Sequence, residues 1–246
     1  PDRLCGQIVG GVTLDGLLGQ GGMGEVHHGL DAQGREVAVK ILLPELTRDP
    51  ATTARFAREI ATLQEVHHPS IIAILATGHT ADGRPYYVMP YLEGETLGAR
   101  LEHGPIPTAE AVAIMEQVLA GLSAVHAAGL VHRDIKPDNV ALVPGRGPIL
   151  LDLGIARPVQ SSAAERLTVA GELVGTPEAM APEQILGGTI DARTDLYQAG
   201  LLLLHMLLGR PPFEASSTRS WFSVHLAGAP RVDAPPGQTA ITPELA

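Results

Sequence analysis

Nine consecutive residues, Val131-His132-Arg133-Asp134-Ile135-Lys136-Pro137-Asp138-Asn139, put carboxylic acid, cationic and carboxamide side chains within one short turn. Such a set can hold a nucleophilic hydroxyl, a phosphate and a metal ion together, which is what phosphoryl transfer requires. His132, Arg133, Asp134 and Asn139 meet an HRDxxxxN pattern, specific because four identities must fall at fixed offsets. The plainer explanation is a polar loop after a helix, with Asp134 as a cap and Asn139 as a turn former. The segments that would position this loop bear on the choice.

Upstream, Gly19-Gln20-Gly21-Gly22-Met23-Gly24 offers a backbone that can approach an anion closely. No Gly-Lys-Ser/Thr follows, as a Walker loop needs, and no helix pattern, as a dinucleotide fold needs; extended runs on both sides make the glycines the cap of a hairpin. Val37-Ala38-Val39-Lys40 alternates in the strand manner and ends on a lysine. Asp49-Pro50 starts a helix whose Phe56, Ile60 and Leu63 share one face, with Glu59 beside that face and able to reach Lys40. A solvated carboxylate is the commoner fate of a single helix glutamate. Ile71 to Leu75 and Tyr86 to Met89 read as two further strands, joined through an Asp82-Gly83 turn.

Pro90-Tyr91-Leu92-Glu93-Gly94 breaks the last strand. The chain therefore divides into a small antiparallel β-sheet lobe with one helix (residues 1–89), a hinge (90–94) and a larger, mainly helical lobe (95–246), an α+β, two-lobed fold with a cleft between. Thr108 is expected to cap a long helix with Val112, Met115, Leu119, Leu122 and Val125 as its apolar stripe; it delivers the chain to His132. A hairpin after Asn139 presents Asp152-Leu153-Gly154, and a carboxylate at a strand exit suits Mg²⁺, although Asp before Gly also forms ordinary turns. The Ser-, Thr- and Ala-rich stretch from Asp152 to Glu183 reads as a regulatory loop containing Ser161, Ser162, Thr168 and Thr176. Asp195 is expected to begin an apolar helix through Leu208, capped by Gly209. Thr242-Pro243-Glu244 is a helix start just before the chain ends, so the C-terminal end is expected to be truncated and the fold to continue past Ala246.

Composition narrows the partners. Lys and Arg number 17 against 27 Asp and Glu, a net charge of −10, which disfavours nucleic acid or an anionic membrane as a partner of the whole chain. Any phosphate site must be local. Cys5 is the only cysteine, so no intramolecular disulfide can form, and a reducing, cytoplasmic setting is expected. The chain opens on Pro1 without a signal-type run, and Ala199 to Leu208 is too short to span a bilayer. Dimerisation is not legible.

Taken together, GQGGMGEV, VAVK, the helix glutamate, HRDIKPDN, DLG, GTPEAMAPE and DARTDLYQAG resemble the protein kinase family, nearest to the eukaryotic-type serine/threonine kinases of bacteria, from about Leu14 onward. The resemblance implies that Gly19, Gly21, Gly22 and Gly24 cover the phosphates of ATP, that Lys40 holds its α- and β-phosphates and is itself held by Glu59, and that Asn139 and Asp152 bind Mg²⁺, with Mn²⁺ an alternative. It makes Asp134 the group that orients or accepts the hydroxyl proton and Lys136 the partner of the γ-phosphate, and it places Leu18, Val26, Ala38, Met89, Pro90, Leu92 and Ala141 around the adenine. Lys136 resembles the serine/threonine class, so protein hydroxyls are the implied substrates. Arg133 would dock a phosphate carried by Thr168, or next by Ser161 or Ser162. Three departures stand out: Leu153 replaces a more usual Phe, Ala179 stands where an aromatic is usual, and the missing end would normally supply an arginine to Glu183. A nucleotide-binding pseudokinase or scaffold is the alternative, and a small-molecule phosphotransferase a more distant one.

Overall fold

The computed structural model describes residues 4–21, 24–48, 50–154, 177–228 and 230. Gly22, Thr176, the three proposed phosphosites (Ser161, Ser162, Thr168) and the terminal Thr242-Pro243-Glu244 lie outside the described residues.

Six antiparallel strands build the first lobe: β1 (Ile8–Val9), β2 (Val12–Gly21), β3 (Gly24–Leu30), β4 (Glu36–Leu42), β5 (Ala76–His79) and β6 (Pro85–Pro90), in the order β1-β2-β3-β4-β6-β5. β4 is buried at every position after Glu36, which is why it reads as a nearly continuous apolar run. Val37, Val39 and Ile41 pack on one side with Val9, Leu14, Tyr86 and Val88. Ala38 and Leu42 pack on the other with Tyr87 and the face of helix α1 (Pro50–Gln64) made by Phe56, Ile60 and Leu63.

The strand expected over 71–75 is displaced. Ile71 makes only an isolated parallel bridge to Leu150, and the lobe's strand is Ala76–His79. The reason lies across the fold: Ile72 N–H donates to the Leu150 carbonyl at 3.0 Å and Leu150 N–H to the Ser70 carbonyl at 2.8 Å, so this stretch ties the two lobes together. Gly121 permits that contact, since a Cβ there would stand 3.1 Å from Ile71 Cδ1.

The second lobe holds a three-stranded sheet of β7 (Glu95–Thr96), β8 (Val140–Val143) and β9 (Gly147–Leu150), with helices α2 (Leu97–Leu101), α3 (Thr108–Ala127), α4 (Pro182–Leu186), α5 (Ala192–Leu208) and α6 (Thr218–Ala227). Two expectations about α3 are corrected. Pro107 is its N-cap, without a side-chain hydrogen bond, so Thr108 is the first helical residue and not the cap. Val112 and Leu119 are exposed, and the buried face is Ala111, Ile114, Met115, Val118, Leu122 and Val125, directed at α5 and β9. By length and composition α3 is the one helix among the described residues that could cross a membrane; its buried face here joins the core shared by both lobes. α5 starts earlier than expected, because the Asp191 carboxylate accepts from Arg193 N–H as N-cap. Asp195 is thereby released for another role. At the far end Gly209 closes α5 with φ +66°.

Candidate active site

The loop between α3 and β8 is fastened from below by α5. The Asp195 carboxylate, fully buried, accepts His132 N–H at 2.8 Å and Arg133 N–H at 2.7 Å, and a third contact runs from the His126 ring at 2.7 Å. Arg133 takes φ +68°, an uncommon conformation for a non-glycine residue, and the two hydrogen bonds from one carboxylate hold it there. Gln198, one helical turn on, accepts Ile135 N–H at 3.0 Å and donates to the Ala179 carbonyl at 2.8 Å. From above, His132 Nε2 meets the Leu151 carbonyl at 3.0 Å. Burial lowers the pKa of that imidazole despite the carboxylates of Asp195, Asp134 and Asp152 nearby, so the ring is neutral at pH 7.

Asp134 stands on this pinned loop, mostly buried, and Asn139 Nδ2 donates both to its carbonyl (2.8 Å) and to its Oδ2 (3.0 Å). That arrangement fixes the direction of the carboxylate and spends the amide nitrogen of Asn139. Its amide oxygen is the hard donor left for a cation.

Across the cleft, Lys40 Nζ pairs with Asp152 Oδ1, and Tyr87 Oη donates to the same oxygen at 3.1 Å. Burial pushes the Asp152 carboxyl up, but the Lys40 ammonium and the Tyr87 hydroxyl together bring it below its usual value, so it is ionised at neutral pH. Asp152 adopts φ +48°. The expected pairing of Lys40 with Glu59 is corrected here: Glu59 Oε1 is held instead by Arg133 Nη1 at 3.3 Å. Burial raises the pKa of Glu59, and the guanidinium of Arg133 opposes the rise. Arg133, expected to dock a phosphate, thus spends a hydrogen bond on α1 in this structure.

The glycines differ in what they make room for. A Cβ on Gly24 would stand 2.5 Å from the Ile41 carbonyl oxygen, so Gly24 is required by the packing of β3 on β4. At Gly19 and Gly21 a Cβ would meet nothing within 4 Å, leaving these two backbones open to a ligand. Among the residues expected around a base, Ala38 and Met89 are buried neighbours on β4 and β6, with Val26 and Leu92 packed against the same cluster. Pro90 closes the ladder opposite Val37, Ala141 is buried on β8, and Leu18 is about half exposed on β2.

For a metal, the donors available are one carboxylate (Asp152) and one amide oxygen (Asn139), both hard oxygen ligands. No group of three His, Cys, Asp or Glu side chains capable of holding an ion exists among the described residues. This fits Mg²⁺ shared between two protein ligands and a nucleotide, since Mg²⁺ keeps waters and phosphate oxygens around it and needs no all-protein cage.

Next to this loop, Ala179 and Met180 are buried and α4 begins at Pro182. Glu183, expected to lack a partner, has one: Thr194 Oγ1 donates to its Oε1. Sequence reasoning missed Asp195, Gln198 and Tyr87 as parts of the site. An acid in the first turn of an otherwise apolar helix was the available signal for Asp195; Gln198, one turn along the same helix, was a second.

With this geometry in place, similarity to known proteins becomes informative. The model of the protein kinase domain matches residues 12–238. The serine/threonine-protein kinase pkn2 of Myxococcus xanthus is 41% identical over 217 residues, covering 87% of this chain and 26% of that protein. The serine/threonine-protein kinase PknB of Mycobacterium leprae is 38% identical over 230 residues, covering 92% of this chain and 36% of that protein. The chain therefore spans about a quarter to a third of the length of these relatives. Among solved structures, the Mycobacterium tuberculosis PknI kinase domain superposes with a TM-score of 0.69 at 29% identity, over 92% of this chain and 91% of the other.

Proposed function

This chain belongs to the protein kinase family, and from that premise we propose that it transfers the γ-phosphate of ATP to serine and threonine hydroxyls of protein substrates. The observation carrying the proposal is the pair of oxygen donors and the fixed acid: Asp152 and Asn139 lie on either side of β8 and β9, and Asn139 also orients Asp134. Lys40, Asp134, Asn139 and Asp152 are all present, and no observation favours the non-catalytic alternative.

In this reading Asp134 accepts a hydrogen bond from the substrate hydroxyl and takes its proton as the new P–O bond forms and the bond from the γ-phosphorus to the β,γ-bridging oxygen breaks, ADP being the leaving group. Lys136 lies near the transferred group and offsets its charge. Lys40 would exchange Asp152 for the α- and β-phosphates, while Asn139 and Asp152 would hold Mg²⁺, or Mn²⁺ in its place. The ion would supply neutralisation of phosphate charge. Gly19 and Gly21 let β2 and β3 close on the nucleotide, and Ala38, Met89 and Leu92 supply apolar contact to its base. A protein that draws on ATP in this way works on the cytoplasmic side of a cell.

The same reading assigns the 152–183 segment a switch. A phosphate on Thr168, or next on Ser161 or Ser162, brings about −1.5 to −2 charges and competes with Glu59 for Arg133. Glu59 is then free to turn to Lys40.

The test is incubation of the purified protein with Mg²⁺-ATP and a generic protein substrate, read by mass spectrometry. Phosphoserine and phosphothreonine are expected on the substrate and phosphate at Thr168 on the chain. Absence of any transfer overturns the activity. Transfer with Thr168 unmodified, or undiminished in Thr168→Ala, removes only the switch.

A further inference from the structure

Tyr87 of β6 and Lys40 of β4 stand directly opposite each other in the antiparallel ladder, so both side chains leave the sheet on the same face. Both end on one atom, Asp152 Oδ1: the Lys40 ammonium as an ion pair, the Tyr87 hydroxyl as a hydrogen-bond donor at 3.1 Å. Among the described residues no hydrogen bond falls on the other carboxylate oxygen, Oδ2. Asp152 follows β9 with φ +48°, so the carboxylate stands on a short, sharply turned stretch of chain and not on a strand.

The two donors differ in freedom. Lys40 carries its charge on a flexible four-carbon stem. Tyr87 is buried, its ring centroid lies 6.2 Å from that of Phe56 on α1, and it belongs to the same core cluster as Ala38, Leu42 and Ile60. A phenol has only two side-chain torsions, and packing on a strand fixes both, so the hydroxyl has one position. Phenylalanine would fill this space equally well. The hydroxyl is thus the part of Tyr87 that packing does not explain, and burying it costs free energy unless it is bonded. The bond it makes is to a carboxylate 65 residues along the chain.

We propose that Tyr87 is a positioning residue for metal binding: its hydroxyl holds Asp152 Oδ1, keeping the carboxylate in place when Lys40 turns to nucleotide phosphates and leaving the other oxygen available for Mg²⁺. The inference rests on the assignment of Asp152 to the metal in the kinase reading. Lys40 cannot serve as this anchor, since in that reading it leaves the carboxylate. A group that hydrogen-bonds a metal-binding carboxylate fixes its orientation, and loss of such a group typically costs about 10–100-fold in metal affinity.

The test is isothermal titration of a non-hydrolysable ATP analogue into wild type, Tyr87→Phe and Asp152→Asn, each in EDTA and over a series of Mg²⁺ concentrations. Tyr87→Phe keeps the ring against Phe56 and removes only the hydroxyl, so its affinity in EDTA is expected to match wild type. The tightening that Mg²⁺ brings is expected to fall about tenfold. Tyr87→Met, an adaptable apolar filler, shows the same loss should the first variant bind no nucleotide in EDTA. Tightening equal to wild type in the variants overturns the proposal, even with a lowered urea midpoint, because a purely structural hydroxyl would move stability alone. Greater tightening overturns it too, since the hydroxyl would then compete with the ion. If wild type gains nothing from Mg²⁺, or Asp152→Asn keeps the gain, the metal assignment falls and the proposal with it. If Asp152→Asn loses the gain while Tyr87→Phe keeps it, the proposal alone falls. Both losses without any phosphorylation of a protein substrate by wild type defeat the transfer reading and leave the role of Tyr87 standing.

Discussion

Glu59 of α1 reaches Arg133 of the catalytic loop at 3.3 Å, while Lys40, the partner that sequence pattern suggests for it, is occupied by Asp152. Both pairs are largely shielded from water, so each holds its cation away from other anions. If the working state exchanges these partners, Glu59→Gln should lower phosphoryl transfer by about tenfold or more, because a positioned charge near the phosphates is lost. A double-mutant cycle in urea without nucleotide should give Glu59 and Arg133 a coupling of about 0.5–3 kcal/mol. Full activity of Glu59→Gln would mean that the glutamate stays with Arg133 throughout.

Asp134→Asn and Lys40→Met should both abolish useful transfer, by different routes. Removal of a positioned base costs roughly 10²–10⁴ in rate, and Mg²⁺-ATP binding should survive it. Lys40→Met removes a phosphate contact and also leaves Asp152 without its main counter-charge, so nucleotide affinity should change too. Nucleotide titration beside steady-state assays separates the two. Wild-type turnover by either variant contradicts its assignment.

Asp195→Ala should be among the most destabilising single changes in the helical lobe. It leaves the N–H groups of His132 and Arg133 without their acceptor in a buried setting, at about 1–3 kcal/mol for each unpaired group. Chemical denaturation should show the loss in the midpoint. An unchanged midpoint would mean that the loop holds its shape by other contacts.

His132 predicts a pH dependence of known sign. Its pKa in the fold is depressed below the ordinary 6.5. Below about pH 6.5 the unfolded chain binds a proton that the native ring refuses, so this group makes stability fall as pH drops until the native ring also titrates. Urea midpoints between pH 7.5 and 5.5, with the imidazole titration followed by NMR, test it. A ring that titrates at or above 6.5 in the folded protein reverses the sign.

Much of the fold was legible because its signals are local. The apolar run around Lys40 marked β4, the face of Phe56, Ile60 and Leu63 marked α1, and Pro-Gly turns marked the β8–β9 hairpin, since each depends only on residue pattern and turn chemistry within a few residues. The strand at 71–75 was misplaced because the amide of Ile72 is claimed by Leu150, far along the chain, a partner that no window around it contains. The residues of the candidate site were likewise named from the sequence, by their motifs and by the family resemblance those motifs carry. Their partners were not. Whether Glu59 meets Lys40 or Arg133, and whether Asp195 starts a helix or braces the catalytic loop, depends on how α1 and α5 pack against a loop distant in sequence, and that packing is set by the shared core. Sequence thus determined which chemical groups are available, because side-chain type and order are its content. Tertiary structure decided which of them touch, because ion pairs and buried hydrogen bonds are made across a fold and their strength depends on the burial it creates.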